Sequence, residues 1–226
     1  MSTDRRAGDA CAGVIFDLDG TLVDSRECGR VALRGAIRSV LGERVAEPTI
    51  DLSLPLDAML RTALPGRSPV QYADLGDAFR REYDDSAWQL ATPFPGAKEC
   101  LDTLVGAGIR VFVVTNKRES AARRVLHGLG LDFSIEDVFG QPDHGPGVSK
   151  EDLARRCLSA AGLTARLVVA VGDSDQDAQM ARALRLPFIA VVGRDGPLSP
   201  SPTWHGSVRE LWELPDLVGV PTGRYV

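Results

Sequence analysis

Cysteine and histidine are scarce in this chain, and neither is spaced as a metal-binding pair. The 226 residues contain four cysteines without a C-x-x-C spacing and three histidines without a closely spaced pair (Cys11, Cys28, Cys100, Cys157; His127, His144, His205). These spacings disfavour a zinc site and a disulfide framework. We expect reduced, partly buried thiols, which are typical of a cytosolic protein.

Long hydrophobic runs are absent as well. No uninterrupted apolar stretch reaches the length that spans a membrane, and residues 1–9 lack the apolar segment of a secretory signal. The net charge is -5, and lysine and arginine are scattered rather than grouped, which disfavours a nucleic-acid or anionic-membrane surface. We therefore expect a cytoplasmic protein, a monomer or homodimer, that acts on a small molecule.

Strands and helices are predicted to alternate over most of the chain. The predicted strands are residues 14–16, 110–115, 167–171 and 188–192, and the predicted helices are residues 97–105, 119–129, 150–161 and 176–184. Apolar runs of strand length between helical patterns indicate parallel strands joined by crossover helices. The fold class predicted is α/β, a doubly wound parallel sheet with helices on both faces.

A helix-rich section interrupts this alternation after the first strand. It begins with a predicted helix at residues 25–41 and ends at the helix-breaking sequence Thr92-Pro93-Phe94-Pro95-Gly96. We predict an α/β core domain made of residues 1–23 and 93–226, and an inserted all-helical domain at residues 24–92. One more short helix is predicted near the C-terminus, at residues 208–212.

The segment Val14-Ile15-Phe16-Asp17-Leu18-Asp19-Gly20-Thr21 is the most informative part of the sequence. An apolar run that leads into Asp, Gly and Thr predicts a buried strand followed by a loop. Parallel sheets present functional groups at the carboxyl ends of their strands. Asp17 and Asp19 are therefore expected close together in a crevice, where two carboxylates repel each other unless a cation or a shared proton intervenes. A metal-assisted site is the first hypothesis.

Further polar residues are predicted at the same edge of the sheet. They are Thr115 and Asn116 after one strand, Lys150 at the start of a helix, and the run Gly172-Asp173-Ser174-Asp175-Gln176-Asp177 after another strand. Asp173 and Asp177 are four residues apart at a helix start and therefore share a face. Carboxylates suit Mg²⁺, while a lysine, a threonine and a helix N-terminus suit a phosphoryl group.

This set of motifs resembles the haloacid dehalogenase superfamily of phosphotransferases. The family's four motifs are matched in order by Asp17-Leu18-Asp19-Gly20-Thr21, by Thr115, by Lys150 and by the run from Gly172 to Asp177. The helical insert after the first motif is similar to the cap of the phosphoglycolate phosphatase branch. The resemblance implies a Rossmann-like core with a helical cap at residues 24–92.

The resemblance also implies a role for each aspartate. Asp17 would attack phosphorus and form an aspartyl-phosphate, and Asp19 would protonate the leaving group and then activate water. Asp17, Asp173 and the backbone carbonyl of Asp19 would hold Mg²⁺. Asp177 would lie behind these ligands and orient metal-bound water or the motif lysine.

The remaining candidate residues would contact the substrate. Thr115, Asn116 and Lys150 are expected to hold the phosphoryl oxygens, where catalysis is mostly positioning and charge stabilisation. Lys150 is not followed by the proline that is common in the branch, so Lys117 is an alternative for its role. Arg26, at the start of the insert, is the candidate for a contact with the rest of the substrate.

Three activities are compatible with these residues. The favoured one is a phosphatase that hydrolyses a small phosphorylated metabolite, such as a phosphoglycolate-like compound or a sugar phosphate. A phosphomutase or phosphotransferase would pass the same phosphoryl group to an organic hydroxyl. A receiver-type signalling module also uses an aspartate, a threonine and a lysine on a parallel sheet, but the long insert and the aspartate on the first strand disfavour it.

Overall fold

The computed structural model describes residues 11–42, 54–194, 198–201 and 203–220. The chain divides into two compact units, one made of Met1–Val23 and Pro93–Val226 and the other of Asp24–Thr92. The first unit contains the sheet and the second is built from helices. Each unit has a hydrophobic core of its own and is described separately.

Parallel strands form the sheet of the α/β unit. In chain order the strands of the described residues are β1 (Gly13–Phe16), β2 (Val23–Asp24), β3 (Thr92–Pro93), β4 (Arg110–Arg118), β5 (Asp137–Gln141), β6 (Val168–Gly172), β7 (Phe188–Val191) and β8 (Gly206–Val208). Six of them pair in the order β5-β4-β1-β6-β7-β8, and every pairing is parallel. The two-residue strands β2 and β3 lie where the chain passes between the units.

Helices follow most of these strands. They are α1 (Arg26–Leu41), α2 (Leu56–Ala63), α3 (Pro69–Asp85), α4 (Ala97–Gly106), α5 (Glu119–Gly128), α6 (Lys150–Ala161), α7 (Asp175–Leu184) and α8 (Leu214–Leu217). The first three belong to the helical unit and the other five to the α/β unit. Among the helices described, none is both long and apolar enough to cross a membrane.

Both faces of the sheet are buried. Ile15 packs in a core cluster with Leu153 of α6 and Met180 of α7. The neighbouring strand residues Val14 and Val111 are as fully buried as Ile15, although successive residues of a strand point to opposite faces. The sheet is therefore covered on both sides, which explains its continuous apolar strands. The predicted doubly wound α/β fold is confirmed.

The helical unit has a separate apolar core. Leu33 of α1, Leu60 of α2 and Leu75 of α3 belong to one buried cluster. Ser68 starts α3 with a capping box, in which its hydroxyl accepts a hydrogen bond from the backbone N–H of Gln71 and the Gln71 side chain accepts one from the N–H of Ser68. This arrangement satisfies two backbone donors at the start of α3.

The C-terminal part of the sequence prediction is wrong. Val208, predicted to start a helix, instead ends strand β8, where it pairs with Val191 of β7. A 3₁₀ turn, Leu211–Glu213, and the short helix α8 follow, with Pro215 in the first turn of α8. A three-residue strand at the sheet edge depends on pairing with a neighbour, so its own sequence is a weak predictor of it. The edge strand β5 and the two-residue strands β2 and β3 were not predicted either.

Candidate active site

Strands β1 and β6 bring two of the predicted aspartates together. The two strands are neighbours in register, with Phe16 opposite Val171, and the N–H of Asp17 extends the ladder to the Val171 carbonyl at 2.9 Å. Asp17 follows β1 and Asp173 follows β6. The two residues are only 6% and 4% exposed. Two aspartates thus lie side by side at the carboxyl edge of the sheet.

Lys150 contacts two carboxylates of this cluster. Its Nζ lies 2.7 Å from Asp17 Oδ1 and 2.6 Å from Asp177 Oδ1. Lys150 is the first residue of α6, which begins at the N-cap Ser149. Of the two lysines left open by the sequence, Lys150 is the one placed beside the predicted nucleophile.

Ser174 holds the side chain of Asp177 at the start of α7. Its Oδ2 accepts hydrogen bonds from the N–H of Ser174 at 3.1 Å and from the Ser174 hydroxyl at 2.6 Å. Its Oδ1 faces Lys150. Gly172 allows this close packing, because a Cβ there would lie 2.3 Å from Asp177 Cγ. Both oxygens of Asp177 therefore have protein partners, which suits a supporting position.

Thr21 and Gly20 support Asp173 from the loop after β1. The Thr21 hydroxyl donates a hydrogen bond of 2.8 Å to Asp173 Oδ1, and both residues are buried. Gly20 has a positive φ of 87°, and a Cβ there would lie 2.2 Å from Asp173 Oδ2. The sequence marked both residues as part of the first motif but did not predict their contact with Asp173. The pattern that could have indicated this contact is the glycine directly after Asp19 followed by the hydroxyl residue Thr21.

Burial raises the pKa values of Asp17 and Asp173. Burial is the main cause that raises the pKa of Asp173 to about 7, and Asp177 adds to it while the Thr21 hydroxyl opposes it. Burial also raises the pKa of Asp17, against the ammonium of Lys150. For Lys150 itself, burial lowers the pKa, but Asp17 and Asp177 outweigh burial and raise it. Burial therefore disfavours the charged forms of Asp17 and Asp173, which a proton or a cation would relieve.

The same cluster fits a divalent cation. One carboxylate oxygen from each of Asp17, Asp173 and Asp177 lies within 4.8 Å of the other two, and all three residues are buried. Lys150 contacts two of the three carboxylates, Asp17 and Asp177. A hard divalent cation prefers such oxygen ligands. Charge and donor chemistry thus both favour a metal ion at this position.

Thr115 and Asn116 lie at the end of strand β4. Thr115 is buried, and its hydroxyl accepts a hydrogen bond of 3.1 Å from the N–H of Lys117. The Asn116 amide donates to Gln176 Oε1 at 2.8 Å, which ties the β4 end to the start of α7. Thr115 is thus placed at the same sheet edge as the aspartates, whereas the amide of Asn116 is engaged with another side chain.

The last two candidates have partners of their own. The Asp19 carboxylate contacts Lys117, with Oδ2 2.9 Å from Nζ. Arg26 belongs to the helical unit, where its guanidinium is 2.5 Å from Asp24 Oδ2. The structure therefore groups Asp17, Asp173 and the buried lysine around one position and gives the second aspartate of the motif a different lysine.

Comparisons with known proteins identify the family of the chain. The family model of haloacid dehalogenase-like hydrolases matches residues 11–185. A protein from Cereibacter sphaeroides named phosphoglycolate phosphatase is 33% identical over 218 residues, which cover 91% of this chain and 97% of the relative. These matches extend across both units and all four motifs.

Solved structures share the fold. A haloacid dehalogenase-like family protein from Streptococcus pneumoniae superposes with a TM-score of 0.77 at 22% identity, covering 91% of this chain and 97% of that one. Protein tyrosine kinase A from Mycobacterium tuberculosis gives a TM-score of 0.79 at 29% identity, covering 94% of this chain and 100% of that one. The chain therefore belongs to the haloacid dehalogenase-like hydrolases and is a phosphatase of that family.

Proposed function

We propose that this protein is a Mg²⁺-dependent phosphatase that works through an aspartyl-phosphate on Asp17. The observation that supports this most directly is the buried contact of Lys150 with Asp17 inside a cluster of three carboxylates. A carboxylate held by an ammonium beside a cation site is an oriented nucleophile. A bound Mg²⁺ would neutralise the phosphoryl oxygens and the carboxylates that face them.

Asp17 and Asp19 divide the chemistry between them. Asp17 attacks phosphorus and forms a new P–O bond, while the bond from phosphorus to the substrate alcohol breaks and Asp19 donates a proton to that oxygen. Water then attacks the aspartyl-phosphate, Asp19 takes up a proton from the water, and inorganic phosphate and free Asp17 are released. Asp173, Asp17 and the Asp19 carbonyl would hold a bound Mg²⁺, which would stabilise the negative charge on the phosphoryl group.

Other residues support these steps. Asp177 accepts from Lys150 and Ser174, so it fixes the lysine rather than entering the reaction. Lys150 and the Thr115 hydroxyl hold phosphoryl oxygens. Asn116 contributes to the phosphate site through its position beside Thr115, and Arg26 contributes a contact to the remainder of the substrate.

The proposed substrate is a small phosphorylated metabolite, either phosphoglycolate-like or a sugar phosphate. The relative that matches over nearly its full length is named phosphoglycolate phosphatase, which favours a small phosphorylated acid. Release of phosphate from a panel of such compounds would rank them by kcat/KM.

A phosphotransferase is the second candidate, because one solved relative with the same fold is named a protein tyrosine kinase. Such an enzyme would pass the phosphoryl group from Asp17 to a second hydroxyl rather than to water. Assays with and without a tyrosine-containing peptide separate the two activities. A phosphatase releases phosphate at the same rate in both, whereas a phosphotransferase places the phosphoryl group on the peptide.

The nucleophile is tested by Asp17→Asn, which keeps the size of the side chain. We expect loss of Mg²⁺-dependent hydrolysis of an aryl phosphate by at least about 1000-fold, as is usual when a covalent nucleophile is removed. Asp102→Asn is the matched control, because Asp102 pairs with Lys98 on the exposed face of α4. Undiminished turnover in Asp17→Asn would contradict the assignment.

A further inference from the structure

Lys117 makes a close contact with the second aspartate of the first motif. Its Nζ lies 2.9 Å from Asp19 Oδ2, and the two side chains are only 14% and 10% exposed. Most ion pairs of the α/β unit involve residues that are far more exposed, for example Lys98 with Asp102. Exposed pairs contribute little because water screens them and both side chains stay mobile. The pair between Lys117 and Asp19 is largely shielded from water.

The backbone that carries Lys117 is fixed from two sides. The Thr115 hydroxyl accepts a hydrogen bond from the N–H of Lys117 at 3.1 Å. On the neighbouring strand, a Cβ at Gly140 would lie 2.7 Å from the Lys117 carbonyl oxygen, so the two backbones touch. The β4–β5 register shifts between Val114 and Arg118, and this irregular segment carries Lys117. Such irregularities commonly redirect a side chain near an active site.

Lys150, which is buried, and Lys117, which is partly buried, contact different aspartates. Lys150 contacts Asp17 and Asp177, whereas Lys117 contacts Asp19. Lys150 thus contacts the proposed nucleophile, Asp17. Lys117 instead contacts Asp19, the residue proposed to donate and accept protons. A carboxyl group can transfer a proton efficiently only when it is held within hydrogen-bond reach of the reacting oxygen.

We propose that Lys117 is a positioning residue that binds Asp19 Oδ2 and thereby orients the Asp19 carboxyl group for proton transfer to the leaving group. This inference depends on the proposed function, in which Asp19 is the general acid. Lys117 takes no part in proton transfer and contributes only orientation. Lys117 acts through Asp19, so the loss of kcat/KM on its removal should depend on how much the leaving group needs a proton.

The test compares substrates whose leaving groups differ in basicity. Lys117→Met keeps the length of the side chain and removes the ammonium. We measure kcat/KM for 4-nitrophenyl phosphate, phenyl phosphate and an alkyl phosphate, because this parameter covers transfer to Asp17 and release of the alcohol. A 4-nitrophenolate leaves without a proton, whereas an alkoxide requires one.

We expect Lys117→Met to lose less than about 3-fold with 4-nitrophenyl phosphate and at least about 10-fold with the alkyl phosphate, a part of what general acids usually contribute. Lys117→Arg keeps the cation and should restore most of the alkyl phosphate activity. In an Asp19→Asn background, Lys117→Met should cause no further loss, because residues that act as one unit are not additive. Lys98→Met is the matched surface control.

Equal losses for all three substrates would overturn the inference and indicate that Lys117 contacts the phosphoryl group or supports the fold. A further loss in the Asp19→Asn background would overturn it as well. If Lys117→Met fails to fold by circular dichroism, Lys117→Gln replaces it in the same series. Failure of the proposed function is recognised separately, because Asp17→Asn would then retain activity.

Discussion

The raised pKa of Asp173 predicts how the stability of the chelator-treated protein depends on pH. A carboxyl group with a pKa of about 7 in the folded protein, against 3.8 as the ordinary value, binds its proton more tightly when folded. Its contribution to stability is complete below pH 4 and is lost as the pH rises through about 7. Asp17 has a raised pKa as well and acts in the same direction. The chelated protein should therefore be less stable at pH 8 than at pH 5.5.

The size of the effect follows from the shift. Each unit of pKa corresponds to about 1.4 kcal/mol, so the full loss for Asp173 is ~4 kcal/mol at most. Between pH 5.5 and pH 8 about half of this, ~2 kcal/mol, should disappear. The assay is urea denaturation at both pH values in the presence of EDTA, with Asp173→Asn as the reference that removes the titrating group.

The quantity to compare is the change in unfolding free energy between the two pH values. We expect wild-type protein to lose ~2 kcal/mol more than Asp173→Asn. Saturating Mg²⁺ should reverse the loss at pH 8, since a ligand at 100 times its Kd stabilises by about 2.7 kcal/mol. Equal pH dependence in the two proteins would refute the reasoning, because it would mean that burial does not disfavour the Asp173 carboxylate.

Two further changes test the support of Asp173. Thr21→Val removes the hydroxyl that donates to Asp173 Oδ1 at 2.8 Å, so Mg²⁺ affinity should fall about 10- to 100-fold in a calorimetric titration. Thr21→Ser keeps the hydroxyl and should keep the affinity. Unchanged affinity in Thr21→Val would contradict a role of this hydrogen bond. Gly20→Ala should abolish most Mg²⁺-dependent turnover, because its Cβ would lie 2.2 Å from Asp173 Oδ2. Gly108 is the control, because it has a similar φ of 78° and a Cβ there would meet nothing within 4 Å. Gly108→Ala should cost only ~1–2 kcal/mol of stability. Equal loss of turnover in the two alanine variants would show that backbone strain, and not contact with Asp173, causes the loss.

The parts of the fold that were predictable are those whose pattern is local. Strands β1 and β6 are buried on both faces, so each is a continuous apolar run that ends in polar residues. The edge strands are different. In β5 buried and partly exposed residues alternate over five positions that include Asp137 and Gly140, and β8 has three residues. Such segments become strands only by pairing with a neighbour, which their own sequence does not encode.

The candidate site shows the same distinction between local and long-range information. Asp17, Asp173 and Lys150 were predictable because each follows the end of a strand or starts a helix. The contacts that Thr21 and Lys117 make were not predictable, since the first crosses 152 positions of sequence and the second depends on the irregular end of β4. Thr21 follows the aspartates of the first motif and Lys117 lies near the end of β4, and many side chains at such positions are solvated.

The paired aspartates of the first motif acquire different surroundings because the chain turns after Asp17. The N–H groups of Thr21, Leu22 and Val23 all point to the Leu18 carbonyl, at 3.3, 3.0 and 3.0 Å. This turn buries the Leu18 side chain completely and ends the extended geometry in which Asp17 and Asp19 would face the same side. Each carboxylate then contacts its own lysine. The repulsion expected between them is therefore reduced by separate ammonium partners, and the cluster of Asp17 with Asp173, rather than the motif alone, favours a cation.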